Sequence, residues 1–188
     1  VLHIAPSLSK IQYYWTSFGF CDTICVGNNF SVQVRLRNTL GDGGINAYDT
    51  SIDIKGEDQS AGVTLMGGAW AQVYTSIWAG NTRLTNRPEL VLDLSNWKTV
   101  ELKLVNDTVY YQYEGANFFK MPFSGRVCNI RQINFGFKGS GMVDWLKVLD
   151  SNGSTVYEEN FNNCQTLAEP LNCTTAPLTA EVKTNFDC

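Results

Sequence analysis

Apolar and polar residues alternate with a period of two through most of the chain. Phe30–Arg37 is the clearest case: Phe30, Val32, Val34 and Leu36 are apolar, and Ser31, Gln33, Arg35 and Arg37 between them are polar. Successive side chains of a strand point to opposite faces, so the run predicts a strand with one buried face and one wet face. The same period recurs at Ile52 and Ile54, at Leu90, Leu92 and Leu94, and at Val100, Leu102 and Leu104. It continues at Val109, Tyr111 and Tyr113, at Ile133, Phe135 and Phe137, and at Leu146 and Val148. Turn signals separate these runs: Gly27-Asn28-Asn29, Asn106-Asp107, Gly139-Ser140-Gly141 and Asp150-Ser151-Asn152-Gly153.

The pattern predicts a first strand over 11–20 that ends at a Cys21–Cys25 loop, and a short strand over 63–66. It also predicts a longer strand over 69–79, a hairpin over 97–115 turning at Asn106-Asp107, and a three-strand meander over 133–157. Residues 1–10 carry no pattern, and neither a helix nor an internal repeat is visible. After Phe161 the alternation stops, and 165–188 is polar with Pro170 and Pro177. About a dozen strands of five to eight residues with tight turns predict an all-β fold, a sandwich of two antiparallel sheets. The expected division is a sandwich domain over 1–163. A cysteine-containing extension over 164–188 is then packed on it or leads to a next module.

Composition fits one globular unit. The 188 residues are 44% apolar and 12% aromatic, with sixteen glycines, enough for one large core. The net charge of -4 argues against nucleic acid, whose phosphates need a basic surface. No apolar run approaches the ~18 residues that span a bilayer, so no membrane insertion is expected. The chain begins without Met or a charged leader, which suggests a mature or excised segment of a longer exported protein.

Cys21, Cys25, Cys128, Cys164, Cys173 and Cys188 form no CxxC pair, and His3 is the sole histidine. Disulfides in an oxidising compartment, secreted or at the cell surface, are therefore preferred over a zinc site or reduced buried thiols. Six cysteines allow fifteen pairings. The expected set closes two short loops, Cys21–Cys25 and Cys164–Cys173, and leaves Cys128 with Cys188.

Two stretches resemble a known family. The first is Trp97-Lys98-Thr99-Val100-Glu101-Leu102-Lys103-Leu104, followed by Val109 and Glu114-Gly115. The second is Gly139-Ser140-Gly141-Met142-Val143-Asp144-Trp145-Leu146-Lys147-Val148-Leu149-Asp150. Both are similar to concanavalin A-like (laminin G, pentraxin, lectin–glucanase) jelly rolls of secreted, multi-module bacterial surface proteins. The likeness covers roughly residues 11–163 and implies a jelly-roll sandwich. Members of this family bind glycans, bind proteins, hydrolyse polysaccharides or space other modules, so the fold does not choose among them.

Glycan binding is the reading the residues favour. Sugars stack flat C–H faces on aromatic rings and hydrogen-bond to amides, carboxylates and guanidinium groups. Trp70, Gln72, Tyr74 and Trp78 share one strand face, and Tyr110 and Gln112 another; Arg35 or Trp145 would join if these strands shared a sheet. The competing reading buries those aromatics in a core, which is where Trp97 and Trp15 are expected. A protein-binding adhesion or spacer module and a divergent glycoside hydrolase are the alternatives.

Hydrolysis needs paired carboxylates ~5–9 Å apart. Asp49 and Asp53 would stand ~13 Å apart along a strand. Glu101 is isolated, and adjacent Glu158 and Glu159 point to opposite faces. No catalytic residue is assigned, and no cofactor other than a Ca2+ ion, for which Asp42, Asp107, Asp150 and Asn152 offer loop oxygens. These four read first as turn formers. Asp144 shares parity with Leu146 and Val148, which predicts a carboxylate tying the N–H groups of a loop. Four N-x-S/T sequons, at Asn29, Asn106, Asn152 and Asn172, fall in or beside turns or loops.

Overall fold

The computed structural model describes residues 2–4, 13–38, 50–56, 60–65, 76–79, 82–84, 96–123, 129–138 and 141–161. Thirteen strands run through them. The first seven are β1 (Leu2–Ile4), β2 (Tyr13–Cys25), β3 (Phe30–Asn38), β4 (Thr50–Lys55), β5 (Ser60–Leu65), β6 (Ser76–Ala79) and β7 (Thr82–Leu84). The others are β8 (Lys98–Val105), β9 (Thr108–Tyr113), β10 (Ala116–Pro122), β11 (Asn129–Lys138), β12 (Gly141–Leu149) and β13 (Thr155–Glu159). A seven-stranded sheet has the order β1-β12-β3-β8-β9-β10, with β13 also paired to β12; a six-stranded sheet has the order β2-β11-β4-β5-β6-β7.

The two sheets bury one face each against the other, the expected all-β antiparallel sandwich. Val32, Val34 and Leu36 of β3, Val100, Leu102 and Leu104 of β8 and Val109 and Tyr111 of β9 are buried. From the six-stranded sheet, Ile24, Ile52, Ile54, Ile130 and Ile133 join them in one apolar cluster. Period-two alternation makes the buried positions of β3, β4, β8 and β9 and Ile133 legible, because a strand can bury only every second side chain; Ile24 and Ile130 lie outside the alternating runs.

Two of the hairpins in the seven-stranded sheet turn on two residues with positive φ. Asn106 (47°) and Asp107 (58°) join β8 to β9, and Glu114 (50°) and Gly115 (79°) join β9 to β10. Left-handed φ at both central residues matches the right-handed twist of the strands, and Asn, Asp and Gly tolerate it best. Each turn is also tied down from outside. Asn29 Oδ1 accepts the Asn106 N–H at 3.0 Å, and Glu114 Oε1 accepts the Thr99 N–H at 2.6 Å.

Four expectations are corrected. The 133–157 segment is not a three-strand meander: β11 pairs with β2 and β4 of one sheet, and β12 with β3 of the other. Only β12 and β13 form a hairpin. An alternating run reports which residues it buries and says nothing about which strand it pairs with, so a crossing between sheets looks like a hairpin. The first strand does not end at Phe20. It runs to Cys25, with a register jump in which Gly19 faces Gln132 and Ile24 faces Ile130, leaving four residues of β2 opposite one of β11.

Asp144 does not share the parity of Leu146. A bulge between Val143 and Trp145 inserts one residue, so Trp145 pairs with Arg35 and Leu146 with Val34. Finally, β10 and β1 carry no readable pattern. In β10 a further register shift, between Asn117 and Phe119, breaks the alternation; β1 is only three residues long. Residues 69–75, 90–94 and 164–188, with their expected strands and extension, lie outside the described residues.

The Asn106-Asp107 turn gives a paired test. Asp107→Gly should hold or raise stability by up to about 1 kcal/mol, and Asp107→Val should lower it by about 1–3 kcal/mol, since a β-branched residue is strained at φ 58°. Urea midpoints at unchanged slope would read both. Tyr111 is fully buried, its hydroxyl 3.6 Å from Met121 Sδ, and burial pushes its pKa above the ordinary tyrosine value. A pKa raised by folding costs nothing below the unfolded value of ~10 and lowers stability as pH rises past it. Tyr111→Phe should remove that part of the alkaline loss, seen as a flatter profile of melting temperature above pH ~10.

Candidate functional site

The outer face of the seven-stranded sheet carries the polar half of the alternation, and the registers arrange it in rows. One row runs from Glu158 through Lys147, Gln33 and Glu101 to Gln112 across five strands. A second, two residues along, runs from Leu149 through Ser31, Lys103 and Tyr110 to Lys120. On the other side of the first lies Trp145, Arg35 and Thr99. Neighbouring strands are ~4.8 Å apart and alternate residues ~6.6 Å apart, so the Arg35 and Gln112 backbones stand roughly 12 Å from each other.

The rows are held by polar contacts. Gln33 Nε2 donates to Glu101 Oε2 at 3.1 Å, and Lys147 Nζ lies 3.2 Å from Glu158 Oε1. Arg35 Nε lies 3.7 Å from Asp144 Oδ2, with both side chains substantially exposed. Asp144 therefore meets a guanidinium rather than the loop N–H groups expected of it, because the bulge brings it opposite Arg35.

Trp97 does not pack in the core. It immediately precedes β8, one step beyond the Leu36–Lys98 pair, and is partly exposed. The guanidinium carbons of Arg35 and Arg37 lie 5.8 and 5.2 Å from its ring centroid. Lys147 Nζ lies 5.3 Å from the ring of Trp145. Arg37 Nη2 has Met142 Sδ at 3.3 Å, and its buried Nε has no hydrogen-bond partner. Trp97 is not legible as a surface residue because a Trp just ahead of a strand has no parity of its own; only the register extends the outer face to it.

At the opposite end of the face lies a cleft of about 470 Å³, within the range of small-molecule sites. Gln33, Glu101, Lys103 and Gln112 line it, with Asn29, Val105, Leu149 and the 150–153 turn around them. That turn satisfies itself. Asp150 Oδ1 accepts the N–H groups of Asn152 (2.9 Å) and Ser154 (2.8 Å), and Gly153 takes φ 79°. Asp150 thus acts as the turn former expected from sequence. Among the described residues no group of three or more His, Cys, Asp and Glu side chains gathers to hold a metal ion; Asp42 lies outside them. Three of the sequon asparagines, Asn29, Asn106 and Asn152, sit in turns or bends at this end.

The residues expected from sequence are thus divided. Arg35, Tyr110 and Gln112 share the outer face of the seven-stranded sheet with Trp145. Trp78 lies on β6 of the six-stranded sheet, so its strand and theirs do not share a sheet. Trp70, Gln72 and Tyr74 lie outside the described residues. So do Cys128, Cys164, Cys173 and Cys188, while Cys21 and Cys25 lie on β2 with their side chains outside the description.

No protein-family model and no curated protein sequence matches the chain. Solved structures do. "CG-16, a homodimeric agglutinin from chicken liver" aligns with a TM-score of 0.51 at 10% identity, over 73% of this chain and 99% of that one. A single mutant of congerin II gives 0.51 at 11% identity, over 72% and 99%. The Caenorhabditis elegans galectin LEC-6 gives 0.46 at 11% identity, over 73% and 99%. The two alignments at 0.51 show a likeness of fold, the jelly-roll sandwich, and at such identities of fold alone.

The Arg35–Asp144 pair is too exposed to matter much for stability. A double-mutant cycle of Arg35→Ala and Asp144→Ala should give a coupling no larger than about 0.5 kcal/mol, shrinking further in high salt.

Proposed function

We propose that the chain is a non-catalytic carbohydrate-binding module, secreted or displayed at a cell surface, and that the outer face of its seven-stranded sheet meets the glycan. The observation that carries this is the make-up of that face: Trp97, Trp145 and Tyr110 supply aromatic rings, and Arg35, Gln33, Glu101 and Gln112 supply hydrogen-bonding groups. All stand within a patch and cleft of saccharide dimensions. Rings stack on sugar C–H faces and amides read hydroxyls, and neither needs a deep pocket.

The fold agrees with this reading, since an agglutinin is among the structures it resembles. Spacing supports binding over hydrolysis: Glu101 and Glu158 stand in one row three strand spacings apart, roughly 14 Å between backbones, beyond the ~5–9 Å of a paired site. The disulfides and the Ca2+ ion weighed from sequence stay outside the proposal. A glycan, rather than a cell-surface protein, is the proposed partner.

A glycan array probed with the wild type and with Trp145→Ala and Gln112→Ala should show binding that weakens at least tenfold in each variant, about 1.4 kcal/mol. Binding untouched by both changes would move the site elsewhere. Binding to a protein partner with no glycan bound would replace the reading with that of an adhesion module.

A further inference from the structure

The end of the face around Trp97 differs chemically from the amide-lined cleft. Arg35 and Arg37 lie two residues apart on β3, on the same face, and both guanidinium groups stand over the Trp97 ring. A cation over an aromatic ring engages the face of the guanidinium and leaves its in-plane N–H donors free. Trp97 therefore fixes two forks side by side without using up their hydrogen bonds. Its own position is set by the reciprocal bonds between Thr99 and Glu114, which lock the start of β8 to the turn after β9.

The nearby carboxylates are already engaged. Asp144 lies against Arg35, Glu158 against Lys147, and Glu114 accepts from the Thr99 N–H. Among the described residues no oxygen accepts from Arg37. Its Nη2 has only the thioether of Met142, a weak acceptor, and its Nε is buried without a partner. A partly buried guanidinium that meets no oxygen among the described residues is costly, and an oxyanion is the group whose geometry matches the remaining donors of its fork. The overall charge of -4 does not oppose this, because at physiological salt charges beyond ~8 Å are screened and the local groups decide.

We propose that this end of the glycan face selects acidic saccharides, with Arg37 and Arg35 binding a carboxylate or sulfate while Trp145 flanks the sugar ring. The inference rests on the carbohydrate-binding reading and specifies its ligand class: uronate-bearing or sulfated polysaccharides over neutral ones. Arg37 is the main anion contact. Arg35, held by Asp144, is the second.

The test is calorimetric titration of the wild type with polygalacturonate, alginate and chondroitin sulfate. Each is set against its neutralised counterpart: methyl-esterified for the first, carboxyl-reduced for the second, and both desulfated and carboxyl-reduced for the third. At least one acidic polymer should bind, its neutralised form at least tenfold more weakly, with affinity falling as salt is raised from about 50 to about 500 mM. Arg35→Ala, on an exposed side chain that folding tolerates, should narrow the acidic-to-neutral ratio several-fold. Arg37→Ala should abolish it, and Arg37→Lys should restore it only in part, because a point charge lacks the fork. Neutral forms bound as tightly as acidic ones, or a ratio unchanged in the Arg35→Ala and Arg37→Lys proteins, would overturn the anionic assignment and leave carbohydrate binding standing. No binding to any polymer of either kind would overturn both.

Discussion

The parity of β3 ties the core to the surface. Its odd and even positions have separate duties: Val32, Val34 and Leu36 are at most 1% exposed in the core, and Gln33, Arg35 and Arg37 furnish the middle of the outer face. β3 is hydrogen-bonded to β8 on one side and β12 on the other, so its register sets where Glu101, Trp145 and Lys147 stand. A slip of one residue would expose three aliphatic side chains and bury two arginines, a cost many times the stability of a single contact. Hydrophobic burial thus fixes the polar rows to within a strand spacing, although the polar contacts themselves are weak.

That division of labour also explains why the face can hold incomplete groups. A domain held by one large apolar cluster tolerates a guanidinium that, among the described residues, has no oxygen partner. Strained or unsatisfied groups persist where the surrounding structure over-determines them. The bulge at Asp144 is a second such device. Adding one residue to β12 turns Trp145 outward beside Arg35 and returns Leu146 to the core, so that the strand contributes to both faces.

Much of the architecture is legible from residue order. The alternation names the buried residues of β3, β8 and β9 correctly, and Asn106-Asp107 marks its hairpin to the residue. Pairing is not legible. β11 and β12 read as hairpin partners because a short polar link serves equally for a hairpin and for a crossing between sheets. The face is legible only in part. Arg35, Tyr110 and Gln112 stand out by parity and chemistry, but an unseen bulge misplaces Asp144. Trp97 reads as core because its outward position depends on a partner, Arg37, sixty residues earlier. Trp78 draws notice through ring and amide content that any half-buried strand can have, and the topology puts its strand in the other sheet.

The central claim is that ligand meets the outer face of the seven-stranded sheet and not the strand of Trp78. The five tryptophans make this directly observable, because each indole N–H gives its own signal in a proton–nitrogen correlation spectrum. Titration with a bound saccharide should shift the Trp97 and Trp145 indole signals, and leave that of Trp78 in place. Movement of the Trp78 signal with Trp97 and Trp145 unchanged would contradict the account and return the site to the 70–78 segment.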